Sequence, residues 1–140
     1  MRDWFQTPQD LAALLRSYGI NPTRQRLQIA HALFASSGHL SADQLLGAVN
    51  AHRPGTSKAT VYNTLNLLRD RGLIREVIAN PNKVFYDPNT APHYHFYDLD
   101  TGELTDIDAR SVEVTGLPPL PSGTVTEGVD IIVRVRSKAG

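Results

Sequence analysis

The sequence has 140 residues, of which 41% are hydrophobic and 20% are charged, a balance typical of a soluble globular protein with one domain or two small ones. It contains no cysteine, which excludes disulfides, thiolate zinc sites and thiol catalysis, so any bound metal must use His, Asp, Glu or Tyr. No apolar run approaches the ~20 residues that a membrane span requires, and the first ten residues are unlike a signal peptide. We therefore expect a cytoplasmic protein with no membrane partner.

The net charge of zero is divided unevenly along the chain. Residues 1–88 contain ten Lys or Arg and six Asp or Glu, a net charge of +4, whereas residues 89–140 contain four and eight, a net charge of −4. This asymmetry predicts one half that meets a polyanion and another half that meets cations.

Four helices are predicted in the first half of the chain from apolar spacing and from helix caps. The first helix has proline at its first position and ends at Gly19, and the fourth helix ends at Gly72. The predicted N-caps are Thr7, Thr23, Ser41 and Ser57. After the fourth helix, LIREVIA and KVFYD are β-rich segments separated by Asn-Pro-Asn, which predicts a hairpin. Three helices, a turn, a fourth helix and a hairpin predict a winged helix-turn-helix.

The second half of the chain predicts fewer and shorter elements. HYHFYDLDTGELTDID is typical of a hairpin that turns at Asp-Thr-Gly, and DARSVEVTGLPPLPSG allows at most a short helix. VDIIVRVR predicts a last strand around Ile131, Val133 and Val135. These few strands bury little apolar surface by themselves, and we therefore expect a homodimer. The predicted fold class is α+β, with a winged-helix DNA-binding domain in residues 1–88 and a small α+β domain for dimerisation and effector sensing in residues 89–140.

One face of the fourth helix is suited to double-stranded DNA. At 100° per residue, Val61, Leu65 and Leu68 point inward, while cations, amides and a tyrosine project from another face. Cations neutralise phosphates, and amides pair with base edges in the major groove. A solvated helix face is the alternative, but a winged helix keeps its recognition helix at this position. The predicted DNA-binding residues are Arg24, Arg26, Lys58, Thr60, Tyr62, Asn63 and Asn66.

Two histidines, His93 and His95, fall one residue apart in the first strand of the second half. Alternate residues of a strand point to the same side, about 6.5–7 Å apart, so these two side chains can share one ion. The alternative is aromatic filling of the strand. Asp87 at the end of the first hairpin and His39 before the third helix complete a set suited to Fe(II), Mn(II) or Zn(II). His39, Asp87, His93 and His95 are therefore the predicted metal ligands.

The order of these motifs resembles the ferric uptake regulator (Fur) superfamily over about residues 10–108. The segments that carry the resemblance are NPTRQRLQIAHALF, HLSADQLL, KATVYNTLNLL, KVFYD and His-x-His. PHYHFY and VDIIVRVR are most similar to the iron response regulator (Irr) branch. The resemblance implies a homodimer on an inverted-repeat operator, with Tyr62 contacting DNA. It also implies a regulatory metal site at His39, Asp87, His93 and His95.

The sequence departs from the family pattern at several positions. Where the family's structural zinc uses two CxxC pairs, this chain has Asp98–Thr101 and no second pair, so no structural zinc held by four cysteines is expected. The family's second metal site lacks its usual residues, because Tyr94 replaces an acid and no histidine follows His95. Glu113 is the one remaining candidate ligand for that site. The branch's Cys-Pro haem motif is absent, and haem binding through His93 and His95 is an alternative.

These observations predict a dimeric DNA-binding transcription regulator of iron homeostasis that responds to Fe(II) or haem through a His/Asp site between the domains. A manganese-responsive regulator of the same superfamily is the alternative, and a winged-helix module without an effector is another. A metal-dependent hydrolase is a remote alternative, because HYHFYD superficially resembles hydrolase clusters. Such enzymes need further ligands downstream, and no histidine follows His95, so we do not expect an enzyme.

Overall fold

The computed structural model describes residues 8–36 and 39–138. The chain packs into two units that divide between Thr90 and Ala91. The first unit combines four helices with a small sheet and the second is built mainly of strands, so the predicted α+β class is confirmed. That the first unit binds DNA and the second dimerises stays a prediction. No helix in the described part of the chain is long and apolar enough to cross a membrane.

The first unit has its elements in the predicted order, with one addition. Its helices are α1 (Pro8–Ser17), α2 (Arg24–Ala35), α3 (Ala42–His52) and α4 (Lys58–Asp70). Its strands are β1 (Leu40–Ser41), β2 (Arg75–Asn80) and β3 (Lys83–Asp87). The hairpin of β2 and β3 is confirmed, and β1, which the sequence did not predict, pairs antiparallel with β3. The sheet order is β1-β3-β2.

The helix starts follow from side-chain caps. Thr23 and Ser57 each accept, through the side-chain oxygen, the N–H of the residue three positions later, at 3.3 Å and 3.1 Å. Ser41 forms a capping box with Gln44, in which each side chain accepts the backbone N–H of the other residue, at 3.2 Å and 2.9 Å. These three predicted caps are confirmed, whereas Thr7 lies outside the described residues.

The ends of α1 and α4 need glycine. Gly19 and Gly72 have φ of 73° and 81°, in the left-handed region that L side chains rarely adopt. The N–H of the next residue, Ile20 or Leu73, bonds back to the carbonyl five positions earlier, at 2.9 Å and 3.0 Å. Arg71 then joins the two ends, because its Nη1 donates to the Gly19 carbonyl at 3.2 Å.

The core of the first unit is formed by the four helices and by residues next to the hairpin. The predicted inward residues of α4, Val61, Leu65 and Leu68, are all fully buried. Leu73 and Ile74 precede β2 and also lie in this core, although the sequence assigned them to the strand. Burial of large aliphatic side chains contributes about 1.5–3 kcal/mol each, so this cluster stabilises the unit.

The second unit contains a three-stranded sheet. Its elements are β4 (His93–Asp98), β5 (Leu104–Asp108), a 3-10 helix (Ala109–Ser111) and β6 (Ile132–Val135). β4 lies in the middle, antiparallel to β5 and parallel to β6. The predicted hairpin and last strand are therefore present, and the single 3-10 turn agrees with the expectation of at most a short helix. Gly102 closes the hairpin turn with φ of 76°.

The apolar residues of the last strand are more exposed than the sequence predicted, because they were expected to form a core. Val133 and Val135 are 41% and 37% exposed, and Ile131 is half-buried. Phe96 lies directly across from Val133 in the β4–β6 register and is also exposed. The second unit therefore presents an apolar sheet face to solvent, because no other layer in its described residues covers these side chains.

Side-chain hydrogen bonds organise the turn where the family resemblance places a cysteine pair. Asp98 Oδ1 accepts the N–H groups of Asp100 and Thr101, at 2.8 Å and 3.1 Å. Asp100 Oδ2 accepts the N–H of Ser137, after β6, at 2.7 Å. The Asp98 carboxylate thus shapes the turn, and the Asp100 carboxylate holds it to the segment that follows the last strand.

Candidate functional site

In the first unit, the structure brings His39 and Asp87 together. Strand β1 pairs with β3 so that Leu40 faces Tyr86, and the next step of this register places His39 across from Asp87. His39 Nε2 lies 3.2 Å from Asp87 Oδ2, and the two side chains are 7% and 4% exposed. The other oxygen, Asp87 Oδ1, accepts the N–H of Asn89 at 2.8 Å. The carboxylate is therefore oriented by the backbone on one side and faces the imidazole on the other.

In the second unit, β4 and β5 bring three ligand groups together. His93 and His95 lie on the same side of β4 with ring centroids 4.5 Å apart, as alternation predicts. Asp106 of β5 pairs with His95 in the register, and its Oδ1 lies 3.6 Å from His93 Nε2 and 3.4 Å from His95 Nε2. One ligand atom from each of the three residues lies within 4.8 Å of the others.

The ring of His93 is oriented for ligation through Nε2. Its Nδ1 lies 2.7 Å from the carbonyl oxygen of Ala91, so Nδ1 carries the proton and donates it. Nε2 is then the nitrogen with a lone pair, and it points towards Asp106. A backbone carbonyl that fixes the tautomer of a histidine is a common outer partner of metal ligands.

Burial and ligand type together describe the donor set of the second unit. His93 and His95 are 7% and 1% exposed, whereas the side chain of Asp106 is 53% exposed. Buried imidazoles beside a carboxylate form a borderline-hard donor set that suits Fe(II), Mn(II) or Zn(II). Within each unit, however, the set is small, with two donors in the first and three in the second.

Asp106 was not among the ligands predicted from the sequence. The signal was present, because the turn at Asp100, Thr101 and Gly102 fixes the hairpin register and places Asp106 across from His95. Asp108, across from His93, belongs to another interaction. Its carboxylate accepts hydrogen bonds from the Arg110 guanidinium, which lowers the pKa of Asp108.

The α4 candidates for DNA binding form a partly exposed face. Lys58, Tyr62 and Asn63 are exposed, and Thr60 and Asn66 are half-buried. Lys58 Nζ lies 5.9 Å from the centre of the Tyr62 ring, within the range of a cation–π contact. This face combines a cation, an aromatic ring and amides on one helix, which is the chemistry that the sequence predicted.

Arg69 also projects from α4, but ion pairs occupy its side chain. Its Nη1 donates to Glu76 of β2 at 2.7 Å, and its Nε donates to Asp70 at 3.1 Å. The Glu76 hydrogen bond is the largest reason that the pKa of Arg69 is raised. Arg69 therefore joins the helix to the hairpin, and its charge is already compensated.

The two arginines at the start of α2 differ in their surroundings. Arg24 is exposed, whereas Arg26 is half-buried and donates through Nη1 to the Asn21 carbonyl at 3.1 Å. Arg24 also lines a cavity between α2 and α3. Their role as phosphate contacts stays a prediction.

The sequence model of the ferric uptake regulator family matches residues 17–117. The peroxide-responsive repressor PerR of Staphylococcus aureus is 34% identical over 98 residues, which are 70% of this chain and 66% of that protein. PerR of Staphylococcus epidermidis is 33% identical over 98 residues, 70% of this chain and 65% of that protein. The chain thus spans just under two thirds of the length of these relatives.

Solved structures are similar over most of the chain. The ferric uptake regulator of Vibrio cholerae superposes with a TM-score of 0.71 at 20% identity, over 90% of this chain and 98% of that chain. That of Pseudomonas aeruginosa with manganese gives 0.67 at 22% identity, over 90% and 96%. A zinc-bound manganese uptake regulator gives 0.68 at 22% identity, over 95% and 100%. At these identities the similarity establishes the fold.

Proposed function

Because the chain belongs to the ferric uptake regulator family, we propose that it is a metal-responsive, DNA-binding transcription regulator. Membership confirms the resemblance at the level of the family. Members of this family are transcription regulators and not enzymes, which agrees with the expectation and removes the hydrolase alternative. The observation that carries the proposal is the arrangement of histidines and carboxylates at the two ends of a short connecting segment.

The proposed regulatory site joins the donors of both units on one ion. The second unit offers two histidines and a carboxylate, and His39 and Asp87 of the first unit are donors of the same chemical class, so the two sets suit the same ions. Asp87 and His93 are six residues apart, so the connecting chain spans at most about 21 Å. One ion held by His39, Asp87, His93, His95 and Asp106 would fix the connecting segment. Asp106 is added here to the four ligands predicted from the sequence.

An ion that joins the units would couple metal concentration to DNA binding. Two binding sites are linked when both bias the same conformational equilibrium, and the orientation of the DNA-binding unit is the proposed equilibrium. The proposed DNA partner is a double-stranded inverted-repeat operator, contacted by Lys58, Thr60, Tyr62, Asn63 and Asn66 of α4 and by Arg24 and Arg26 of α2. The apolar sheet face of the second unit supports a homodimer, which matches the symmetry of such an operator.

The effector that we favour is Fe(II), with Mn(II) as the alternative and Zn(II) as a substitute. The motifs PHYHFY and VDIIVRVR favour the iron response branch, and haem at His93 and His95 belongs to that interpretation. The staphylococcal relatives are named for a response to peroxide, which supports a second candidate function. In that case, peroxide added to the Fe(II) form would change operator binding and peroxide added to the Mn(II) form would not.

The proposal is tested by fluorescence anisotropy with operators selected from random duplexes by the apo and the metal-loaded protein. The full chain is titrated without oxygen in the apo form, then with Fe(II), Mn(II), Zn(II) and haem, and finally with peroxide after Fe(II). We expect Fe(II) or Mn(II) to change the DNA dissociation constant by about tenfold or more, as regulatory couplings do. Absence of a response to every effector would refute the sensor function.

Metal stoichiometry tests whether one ion uses both sets of donors. We expect one regulatory ion per chain, and we expect His39→Ala and His95→Ala to weaken the same ion. Asp106→Asn should lower its affinity, whereas Glu103→Gln, an exposed carboxylate of the same hairpin, and His31→Ala, an exposed helix histidine, serve as controls. If His39→Ala leaves the affinity unchanged while His95→Ala abolishes it, the shared site is wrong.

A further inference from the structure

The first unit contains a cavity of about 630 Å³ that is unrelated to the metal ligands. From α2 it is lined by Arg24, Leu27, Gln28, His31 and Ala32. These positions follow the spacing i, i+3, i+4, i+7, i+8, which is one face of a helix. The C-terminal part of α3 lines the opposite side, and Leu11 of α1 completes the lining. Three helices that meet without filling the space between them thus leave a preformed pocket.

The cavity has an apolar interior and a cationic mouth. Leu11 and Val49 are buried in its wall, and Leu27 is half-buried. Arg24 and Arg53 are exposed at its edge, and both histidines that lie outside the metal-ligand set also line it. None of the described residues that line it is an aspartate or a glutamate.

The described part of the protein supplies no counter-ion to the guanidinium groups at this mouth. In the described ranges 8–36 and 39–138, no ion pair involves Arg24, Arg53 or His52. By contrast, Arg69 pairs with acids and Arg71 donates to carbonyl groups. Two guanidinium groups beside an apolar cavity therefore retain their full capacity to bind an anion.

We propose that this cavity binds a small amphipathic carboxylate, with its apolar body against Leu11, Leu27 and Val49 and its carboxylate at Arg24 and Arg53. Ligand sites of about 300–1,000 Å³ combine an apolar lining with a few polar groups that orient the ligand. Guanidinium groups bind carboxylates through paired, charge-assisted hydrogen bonds. Because the lining residues that the structure describes include no acid, an anion is favoured over an amine of the same shape.

The test is calorimetric titration of the full-length protein with dodecanoate, below its micelle concentration, with dodecylammonium as the matched cation. We expect one dodecanoate per chain and no comparable binding of dodecylammonium. Arg53→Gln should weaken binding by about 10–100-fold, the effect of losing one charge-assisted hydrogen-bonded pair. The same titrations with 1-pyrenebutyrate, followed by fluorescence, extend the test to an aromatic body.

A steric pair of variants locates the binding site. Ala48→Trp places a large ring on an exposed position that lines the cavity, so we expect it to abolish binding. Ala51→Trp places the same ring on an exposed position of α3 outside the lining and should leave binding unchanged. Circular dichroism of both variants checks that the helix content of the protein is unchanged.

Three results would overturn the proposal. Binding that persists in both Ala48→Trp and Arg53→Gln would place the carboxylate elsewhere, for example on the exposed sheet of the second unit. Equal binding of dodecylammonium would show that charge plays no part. Failure of both carboxylates to bind at concentrations up to about 1 mM would exclude this ligand class from the cavity.

Discussion

The first unit buries its own apolar side chains, whereas the second unit leaves most of its large apolar side chains in contact with solvent. Among the described residues, Tyr97 and Leu104 are the hydrophobic residues that the second unit buries, and every residue of the main core cluster belongs to the first unit. Hydrophobic stabilisation is roughly proportional to the apolar area removed from water. The first unit therefore has a hydrophobic core of its own, whereas the second unit would gain more stability by burying apolar area against a partner surface.

The contrast extends to the buried polar side chains. His93 and His95 are among the best-buried side chains of the second unit, so its interior is formed in part by candidate metal ligands. Burying polar groups costs free energy unless they gain partners. Ligand binding and folding are consequently more closely linked in the second unit than in the first, whose apolar core is formed by residues other than the proposed ligands.

The largest expected effect is the loss of a core leucine in the first unit. Leu65 of α4 is fully buried, so Leu65→Ala should lower the free energy of unfolding by about 2–5 kcal/mol. The matched variant in the second unit is Leu117→Ala, at a leucine that is 63% exposed, with an expected change below about 0.5 kcal/mol. Urea denaturation followed by circular dichroism measures both. Similar losses in the two variants would contradict the difference in burial between the units.

The next effect concerns the apolar face of the second unit. Phe96 and Val133 are paired across β4 and β6 and are 43% and 41% exposed, so they would lie in a dimer contact. Phe96→Asp should weaken dimerisation by about 30-fold or more, the loss typical of an interface residue worth at least 2 kcal/mol. Sedimentation velocity at micromolar concentration measures it. Ile78→Asp, at an exposed residue of the first-unit hairpin, is the control and should leave the dimer intact.

A wild-type chain that sediments as a monomer would contradict the interpretation of this face as a dimer contact. The exposed residues Leu117, Leu120 and Val125, which lie between the short helix and β6, would then also lack the partner surface expected for them. The first unit should keep its thermal transition in the Phe96→Asp variant, because Phe96 contributes nothing to the first-unit core.

The sequence predicted most of the first unit because its signals are local. Caps such as Ser41, glycines such as Gly72 and the apolar spacing of α4 each act within one or two turns of helix. The two-residue strand β1 carried no such signal, since a strand of this length is defined by its pairing with β3. This pairing places His39 beside Asp87. The sequence predicted both residues as metal ligands from their chemistry, but it did not predict the strand pairing that brings them together.

The candidate ligands of the second unit were predictable to different degrees. Alternation along a strand was sufficient to place His93 and His95 on one side of β4. Asp106 required the register of the hairpin, which depends on counting outward from the turn that ends at Gly102. The exposure of Phe96 was not predicted, because strand alternation identifies two faces without telling which face another layer covers.

The smallest expected effect is a pH dependence in the first unit. Tyr86 of β3 is 4% exposed, and its pKa is raised, first by burial and then by the negative charge of Glu76. In the unfolded chain a tyrosine ionises near pH 10, so above this pH the unfolded state loses its proton more readily than the native state. The native state then binds more protons than the unfolded state, so the free energy of unfolding falls as pH rises through the native pKa of Tyr86. Below about pH 10 this contribution to stability is fully retained.

Tyr86→Phe should remove this alkaline loss and change stability at neutral pH by less than about 1 kcal/mol, because the ring remains in place. Urea midpoints between pH 8 and about pH 11 measure the slope, with Tyr18→Phe, an exposed tyrosine of the same unit, as the control for loss of one phenol. Because the charge of Glu76 contributes to the raised pKa, Glu76→Gln should make the alkaline loss shallower than in the wild type. Equal slopes in the wild type and in Tyr86→Phe would mean that the burial of this phenol is not what makes the first unit sensitive to high pH.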